Sequence, residues 1–273
     1  MARTGWFNQV HVRSEASERI RVLIGTRERL IKMRKDLEGY VRGVLKVFGI
    51  CMSGVHRENK RQGFRDQLTK AGALDPAIGV MADMFGPIHL ALCSAASAMD
   101  VELRAIARES GLAERLMTVP GVGPIVTLAF ISTLDDATRF KKSKDVGAFL
   151  GLTPRRYQSG ELDWSGRISK YGDRDLRRLL YSAATTLITQ VKKPSPLLIW
   201  ATRLNERKGF KKPPSQPQGR SQLSCIAFGA TRPSLTQAWR EWPKHNNAEH
   251  LPERSWAGSV SFGTVAHQAR LKR

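Results

Sequence analysis

Cysteine is scarce in this 273-residue sequence, and the three present, Cys51, Cys93 and Cys225, lie far apart with no CxxC pair. That argues against a disulfide framework and against a thiolate metal site; two buried thiols and one in a C-terminal tail are expected instead. The six histidines show neither HxxxH nor HxH spacing, so no imidazole metal pattern is present. No uninterrupted apolar run of about 18 residues offers a bilayer span, and no secretory signal pattern opens the sequence. No membrane partner is therefore expected, and the cytoplasm is the expected compartment. Acidic residues are also few: 24 Asp and Glu stand against 45 Lys and Arg, a formal net charge of +21. Such an imbalance calls for a large polyanionic partner, because each Lys or Arg on a phosphate releases counterions.

What is present is organised along the chain. The first 13 residues, MARTGWFNQVHVR, hold an alternating Val10–His11–Val12 stretch and read as the end of a strand or loop. From Ser14 or Ser17, both suited to cap a helix, a helical pattern runs to Phe48 and stops at Gly49. Leu23, Leu30, Leu37 and Val44 recur every seven residues, with Ile24, Ile31 and Leu45 beside them, a coiled-coil-like seam. Arg27 and Arg34 fall where an isolated zipper would want apolar residues, so packing within the chain and self-association both stay open. Residues 51–74 are polar and basic and read as a connector. A second helical stretch covers about Pro76 to Ser110, where Pro87 should kink or interrupt it near Gly86. The densest structural signals lie between Leu112 and Lys212. Beyond Lys212, prolines with scattered Trp, Ser and Gln show no lasting periodicity, and such a tail cannot offset its chain entropy by burial. Disorder is expected there.

Within the central segment the residues that carry chemistry fall in three stretches. Thr118-Val-Pro-Gly-Val-Gly-Pro124 joins an apolar helix to the next one, the pattern of a helix-hairpin-helix. Gly121 and Gly123 permit a tight turn whose N–H groups, with the following helix N-terminus, can hold a phosphate without reading sequence. A plain helical turn in a core is the alternative. Next, Lys141, Lys142 and Lys144 form a basic cluster, either a solvated face or a backbone contact. Last, Pro154-Arg-Arg-Tyr-Gln-Ser-Gly160 and Asp163-Trp-Ser-Gly-Arg-Ile-Ser-Lys-Tyr-Gly-Asp-Arg-Asp175 read as a small Ser- and Gly-rich loop. It is flanked by Arg155, Arg156, Arg167, Lys170, Arg174, Arg177 and Arg178. Hydroxyls in a field of guanidinium groups suit two jobs: gripping phosphates, or nucleophilic attack on a phosphodiester with arginines stabilising the developing charge. No histidine lies nearby as a base, which disfavours a Ser-His-Asp hydrolase.

The run TVPGVGPIVTLAFISTLDDATRFKKSKDVGAFLGLTPRRYQSG, followed by GRISKYGDRDLRRLLYSAA, closely resembles the C-terminal transposase domain of the insertion-sequence-110 family, named with its relatives 116 and 902. RTGWFNQVHVRS and the Arg/Leu helix ending in RGVLKVFG resemble the segment between that family's two catalytic regions. The resemblance implies a two-part recombinase. An N-terminal RuvC-like domain carries DEDD acids that bind a divalent metal such as Mg. After a coiled-coil arm, a helical domain supplies a serine proposed to attack DNA, and a structured guide RNA directs target choice. Carried onto this sequence, that serine is best matched by Ser159 in QSG, with Ser169 and Ser165 as weaker candidates. Gly160 would let the backbone approach DNA.

The resemblance also implies what is missing. The acidic domain should lie upstream of Met1, leaving no metal-binding acids in this chain and hence no cofactor of its own. After about Lys212 the text departs from the family ending, and plausible codons for Leu223–Thr231 read one base out of register restore something like it, implying a frameshift. The expected fold is mainly α: a remnant at 1–13, a long coiled-coil-like arm at 14–110, a compact DNA-binding domain with a helix-hairpin-helix at 111–212, and a disordered, out-of-frame tail at 213–273. The expected function is that of a transposase fragment for DNA transposition by strand cleavage and rejoining, inactive alone, in a bacterial cytoplasm at the nucleoid. Expected partners are DNA, a guide RNA, and a second copy or a full-length transposase met through the 14–48 helix. The alternatives are a non-enzymatic helix-hairpin-helix nucleic-acid-binding protein and an inhibitor of a complete transposase.

Overall fold

The computed structural model describes residues 10–52, 60–140, 143–192 and 194–208. The expectations of a disordered, frameshifted tail and the candidates Lys141 and Lys142 lie outside the described residues. The fold is mainly helical, as expected, and begins with helix α1, Glu15–Val47. Ser14 caps it by accepting the Ser17 N–H, and Glu15 and Glu18 sit in its first turn, where the helix dipole favours negative charge. It ends as a Schellman motif. Gly49 takes φ +71, and the N–H groups of Gly49 and Ile50 donate back to Lys46 and Leu45 at 3.0 Å each, satisfying carbonyls the helix leaves open. At 33 residues α1 is about 50 Å long.

Helix α2, Lys60–Gly72, occupies most of the stretch read as a connector. Its composition is polar, but Phe64, Leu68 and Ala71 fall on one face and are buried; tertiary packing overrides weak local signals here. Helix α3, Pro76–Glu109, opens with Asp75 as cap and Pro76 in its first turn, and runs without interruption through Pro87. The expected break does not occur. Pro87 removes the N–H that would have bonded the Asp83 carbonyl, but Pro87 and Asp83 are both exposed, so water can take that carbonyl. Helix α3 is also long and apolar enough, by length and composition, to cross a membrane, although the sequence holds no uninterrupted apolar run. In the fold its buried side packs on α1 and α2.

These helices form an arm with two apolar ends. Val41, Leu45, Phe64, Leu68, Ala71 and Ile78 make the core at the tip. At the base, Ile20 and Ile24 of α1 meet Leu103, Ile106 and Ala107 of α3 in one continuous core with the residues that follow. Polar groups bridge the middle. Arg27 of α1 pairs with Asp100 of α3, and the fully buried His89 meets Glu38 at 3.0 Å. Burial drives the His89 pKa below its ordinary value against the opposing pull of Glu38. Leu23, Leu30, Leu37 and Val44 are all half-buried, with Leu23 on the base core and Leu37 on the tip core. Arg27 stands at an apparently misplaced seam position because its partner is an acid on α3.

The compact part follows: α4, Gly111–Met117; α5, Pro124–Leu134; a 3₁₀ turn, Ala137–Arg139; α6, Ser143–Phe149; α7, Arg174–Thr189; and α8, Pro196–Lys208. Helix α5 is apolar around its circumference and buried from Thr127 to Leu134, the pattern of a central core helix; α1, α3, α4 and α7 surround it. Helix α7 buries Leu176, Leu179, Leu180, Ala183, Ala184 and Leu187, one face at helical spacing. Between α6 and α7 the expectation of an irregular loop fails. Strands β1, Pro154–Ser159, and β2, Leu162–Ile168, form an antiparallel hairpin.

Candidate nucleic-acid interface

The hairpin is built by alternation and turn chemistry. Gly160 and Glu161 make its two-residue turn, and Gly160 takes φ +56, the glycine-first geometry of a II′ hairpin turn. The register places Tyr157 opposite Trp164, Gln158 opposite Asp163 and Ser159 opposite Leu162, so Tyr157, Ser159, Leu162 and Trp164 share one face. The two rings stack with centroids 4.3 Å apart and planes within 13°. On the other face Arg156 donates to Asp163 at 2.9 and 2.5 Å. That guanidinium holds the Asp163 carboxyl below the ordinary carboxylate range. Every residue of β1 is exposed.

The base of the hairpin is clamped backbone against backbone. The Ser169 N–H donates to the Thr153 carbonyl at 2.9 Å, and the Lys170 N–H to the Gly151 carbonyl at 3.0 Å. A Cβ on Gly172 would collide with the backbone of Phe149 and Leu150, and one on Gly151 (φ +67) would stand 2.6 Å from the Tyr171 nitrogen. Asp173 then caps α7 through the Leu176 N–H at 2.8 Å and receives both Arg21 guanidinium nitrogens at 3.1 Å. Burial would raise the Asp173 pKa, but the Leu176 N–H and Arg21 outweigh it and hold it low. The hairpin therefore leaves a rigid platform tied to α1.

The candidate residues do not form one cluster. Ser159 stands at the hairpin tip, five residues along β1 from Pro154, about 17 Å at strand rise. Ser169 is half-buried at the base, where its carbonyl accepts from Arg155 at 3.2 Å. The backbone of Ser165 lies opposite Arg156 on β2, which also carries Arg167. Arg155, Lys170 and Arg174 are exposed at or near the base, with the Arg155 guanidinium 5.2 Å from the Tyr171 ring centroid. Lys144 lies on α6, away from the hairpin tip in sequence.

Of the candidate arginines, Arg177, Arg178 and Arg156, like Arg155, have partners among the described residues. Arg177 is half-buried and donates to the carbonyls of Leu150 at 3.2 Å and Gly172 at 2.5 Å, sealing the clamp. Arg178 pairs with Glu28 across on α1, and Arg156 pairs with Asp163. Gly121, at φ +87, abuts α7, where a Cβ would lie 2.7 Å from the Ala183 carbonyl oxygen. Its glycine is therefore explained by close packing. Gly123 caps α5 with no side-chain hydrogen bond and has open space around it.

The aromatic residues Tyr157, Trp164 and Tyr171, 44%, 57% and 83% exposed, went unassigned in the sequence reading. Their signal was the alternation Arg-Tyr-Ser against Leu-Trp-Gly around a Gly-Glu turn, obscured by the Ser/Gly composition that suggested a loop. Acids beside Ser159 do not fit a divalent cation: Glu161 lies in the turn, and Asp163 is bound to Arg156. Among the described residues no group of three or more His, Cys, Asp and Glu converges on a metal position. Cys93 is buried as expected, whereas Cys51 is exposed beyond the end of α1.

Comparison with known proteins finds similarity to transposases. Residues 113–197 match the model described as "Transposase IS116/IS110/IS902 family". The transposase for insertion sequence element IS1111A of Coxiella burnetii is 31% identical over 199 residues, 71% of this chain and 53% of that protein. A putative transposase, y4pF/y4sB, of Sinorhizobium fredii is 32% identical over 175 residues, 63% of this chain and 44% of its own length. The transposase for IS1328 of Yersinia enterocolitica is 28% identical over 180 residues, 66% of this chain and 53% of its own length. This chain thus spans about half the length of the curated relatives it matches.

Proposed function

Because residues 113–197 match the transposase domain of the IS116/IS110/IS902 family, we propose that this chain binds DNA through its hairpin and the cationic base beneath it. The observation that carries the reading is the exposed hairpin with Ser159 at its tip and Arg155, Lys170 and Arg174 at its root. A duplex or displaced strand lying along it meets guanidinium and ammonium groups at one end and a hydroxyl at the other. The uncapped N-terminus of α5 at Gly123 adds N–H groups for a phosphate, the contact expected of a helix-hairpin-helix. In a complete transposase, Ser159 Oγ attacks phosphorus, forming a phosphoserine ester and expelling a sugar hydroxyl. A set of metal-binding acids outside the described residues would hold the divalent ion for that step. On this reading the chain by itself binds DNA and does not cut it. A structured guide RNA is a further proposed partner. Association with another copy would use the outward stripe of the arm, Val22, Met33, Tyr40 and Val47, since the seam of Leu23 to Val44 is half-buried within the chain.

Fluorescence anisotropy with labelled duplex DNA tests the reading. Binding is expected to weaken by roughly tenfold or more between about 50 and 200 mM salt, the mark of several phosphate contacts. Charge reversal at Arg155 and Lys170 should weaken it further. Absence of binding at low salt overturns the proposal. Strand cleavage by the chain alone, abolished by Ser159→Ala, overturns its inactivity. The non-enzymatic alternatives share the binding; an inhibitor would in addition lower strand transfer by a complete relative.

A further inference from the structure

We propose that the stacked Tyr157–Trp164 pair is a platform for an unpaired nucleobase of single-stranded DNA, seated beside Ser159. The proposal rests on the DNA-binding reading above and adds the form of DNA and the residues that hold it.

Two large rings on an exposed strand pair bury little. The Tyr157 and Trp164 rings cover one face of each other, yet remain 44% and 57% exposed. Their outer surfaces therefore stay open to a third planar partner. Gly166 widens the approach: a Cβ there would come within 3.1 Å of Tyr157 Cε2 and 3.6 Å of Trp164 Cζ3, so only glycine leaves the ring edges clear. A cross-strand aromatic pair also steadies a hairpin. That role alone does not call for cationic groups at the root, where Arg155 lies over Tyr171 and Lys170 is exposed. Aromatic faces interleaved with cations are the means by which proteins hold single strands, stacking on bases and neutralising phosphates. A paired base keeps its faces inside the helix stack; an unpaired base offers one.

Position gives the platform its use. Ser159 lies two residues beyond Tyr157 on the same face, about 7 Å along the strand. A base held on the rings thus leaves the phosphodiester of its own or the next nucleotide beside the hydroxyl. The hairpin root is anchored by the Gly151–Gly172 clamp, Arg177 and the Arg21–Asp173 pair, so the strand pair that carries the rings and the serine starts from a fixed base.

The test uses the full chain and three probes of equal length: oligo(dT), the same deoxyribose-phosphate backbone without bases, and oligo(U). Oligo(dT) is expected to bind roughly 5- to 100-fold tighter than the abasic strand, the range for stacking of one or two bases. Tyr157→Thr combined with Trp164→Leu, both compatible with a strand, should abolish that ratio. Trp164→Phe keeps a ring and should keep most of the ratio. Equal binding of oligo(dT) and the abasic strand, or a ratio unchanged in the double variant, overturns the proposal. Preference for oligo(U) overturns it in favour of an RNA site. Loss of duplex binding by the wild-type chain would instead sink the underlying DNA-binding reading.

Discussion

Asp135 shows how much a single side chain can hold. It ends α5 at φ 60 and accepts from Ser14 Oγ at 2.5 Å, Ser14 N at 3.0 Å and His11 Nε2 at 2.7 Å. The start of α1 is thereby fastened to the end of the central helix, 121 residues away. Burial would raise its pKa, but the hydrogen bonds from Ser14, Ser17 and His11 outweigh burial and hold it at about 2, against 3.8 for an ordinary aspartate. A carboxylate depressed on folding stabilises the native state above its unfolded pKa, and that contribution is lost as pH falls. Urea denaturation between pH 5 and pH 2 should show stability dropping by on the order of 2 kcal/mol as pH falls from about 4 towards 2. Asp135→Asn should be less stable at pH 7 and lack most of that slope; an unchanged slope would show that other carboxylates set it. Glycines separate by environment at the same scale. Gly172→Ala meets the backbone of Phe149 and Leu150 and should cost several kcal/mol, at the severe end for a point change. Gly160→Ala meets nothing within 4 Å and should cost only about 1–3 kcal/mol for its positive-φ backbone. Thermal unfolding of the two variants checks the order.

At the scale of elements, α1 was the most legible part of the sequence. Its length and its stop followed from the apolar spacing and Gly49, and its cap from Ser14 or Ser17, of which the structure uses Ser14. What it packs against was not legible. Arg27 looked like a fault in a zipper because its partner, Asp100, is 73 residues away. A double-mutant cycle with Arg27→Ala and Asp100→Ala should give a coupling energy of about 1–3 kcal/mol, the range for partly buried neighbours. A value near zero would mean the pair is only a crossing of long side chains. Helix α2 was hidden for the converse reason: three apolar residues in a basic stretch decide its state only when α1 and α3 are there to cover them. The hairpin was missed because Ser, Gly and Arg dominate its text. A two-stranded unit is stable only with outside support, supplied here by the clamp at its base, which no local pattern announces.

At the scale of the molecule, the net charge of +21 is spread unevenly in its consequences. Arg27 and Arg177 are part-buried, with an acid or backbone carbonyls as partners, whereas Arg155, Lys170 and Arg174 are exposed around the hairpin root, Arg155 with the Ser169 carbonyl as an internal partner. Removing the second set should therefore change DNA affinity and its salt slope with little effect on stability, and removing the first should do the reverse. The sequence by itself determined the helical class, the extent and stop of α1, the excess of positive charge and the resemblance of one segment to a transposase domain. These depend on periodicity, composition and contiguous motif, which are local or additive. Only the tertiary structure decided which arginines hold the fold and which face solvent, that Gly121 serves packing against α7, and that Tyr157, Trp164 and Ser159 share a face. Each of those depends on a distance between residues far apart in the chain, or on the one-residue alternation of a strand, and residue spacing alone does not fix either.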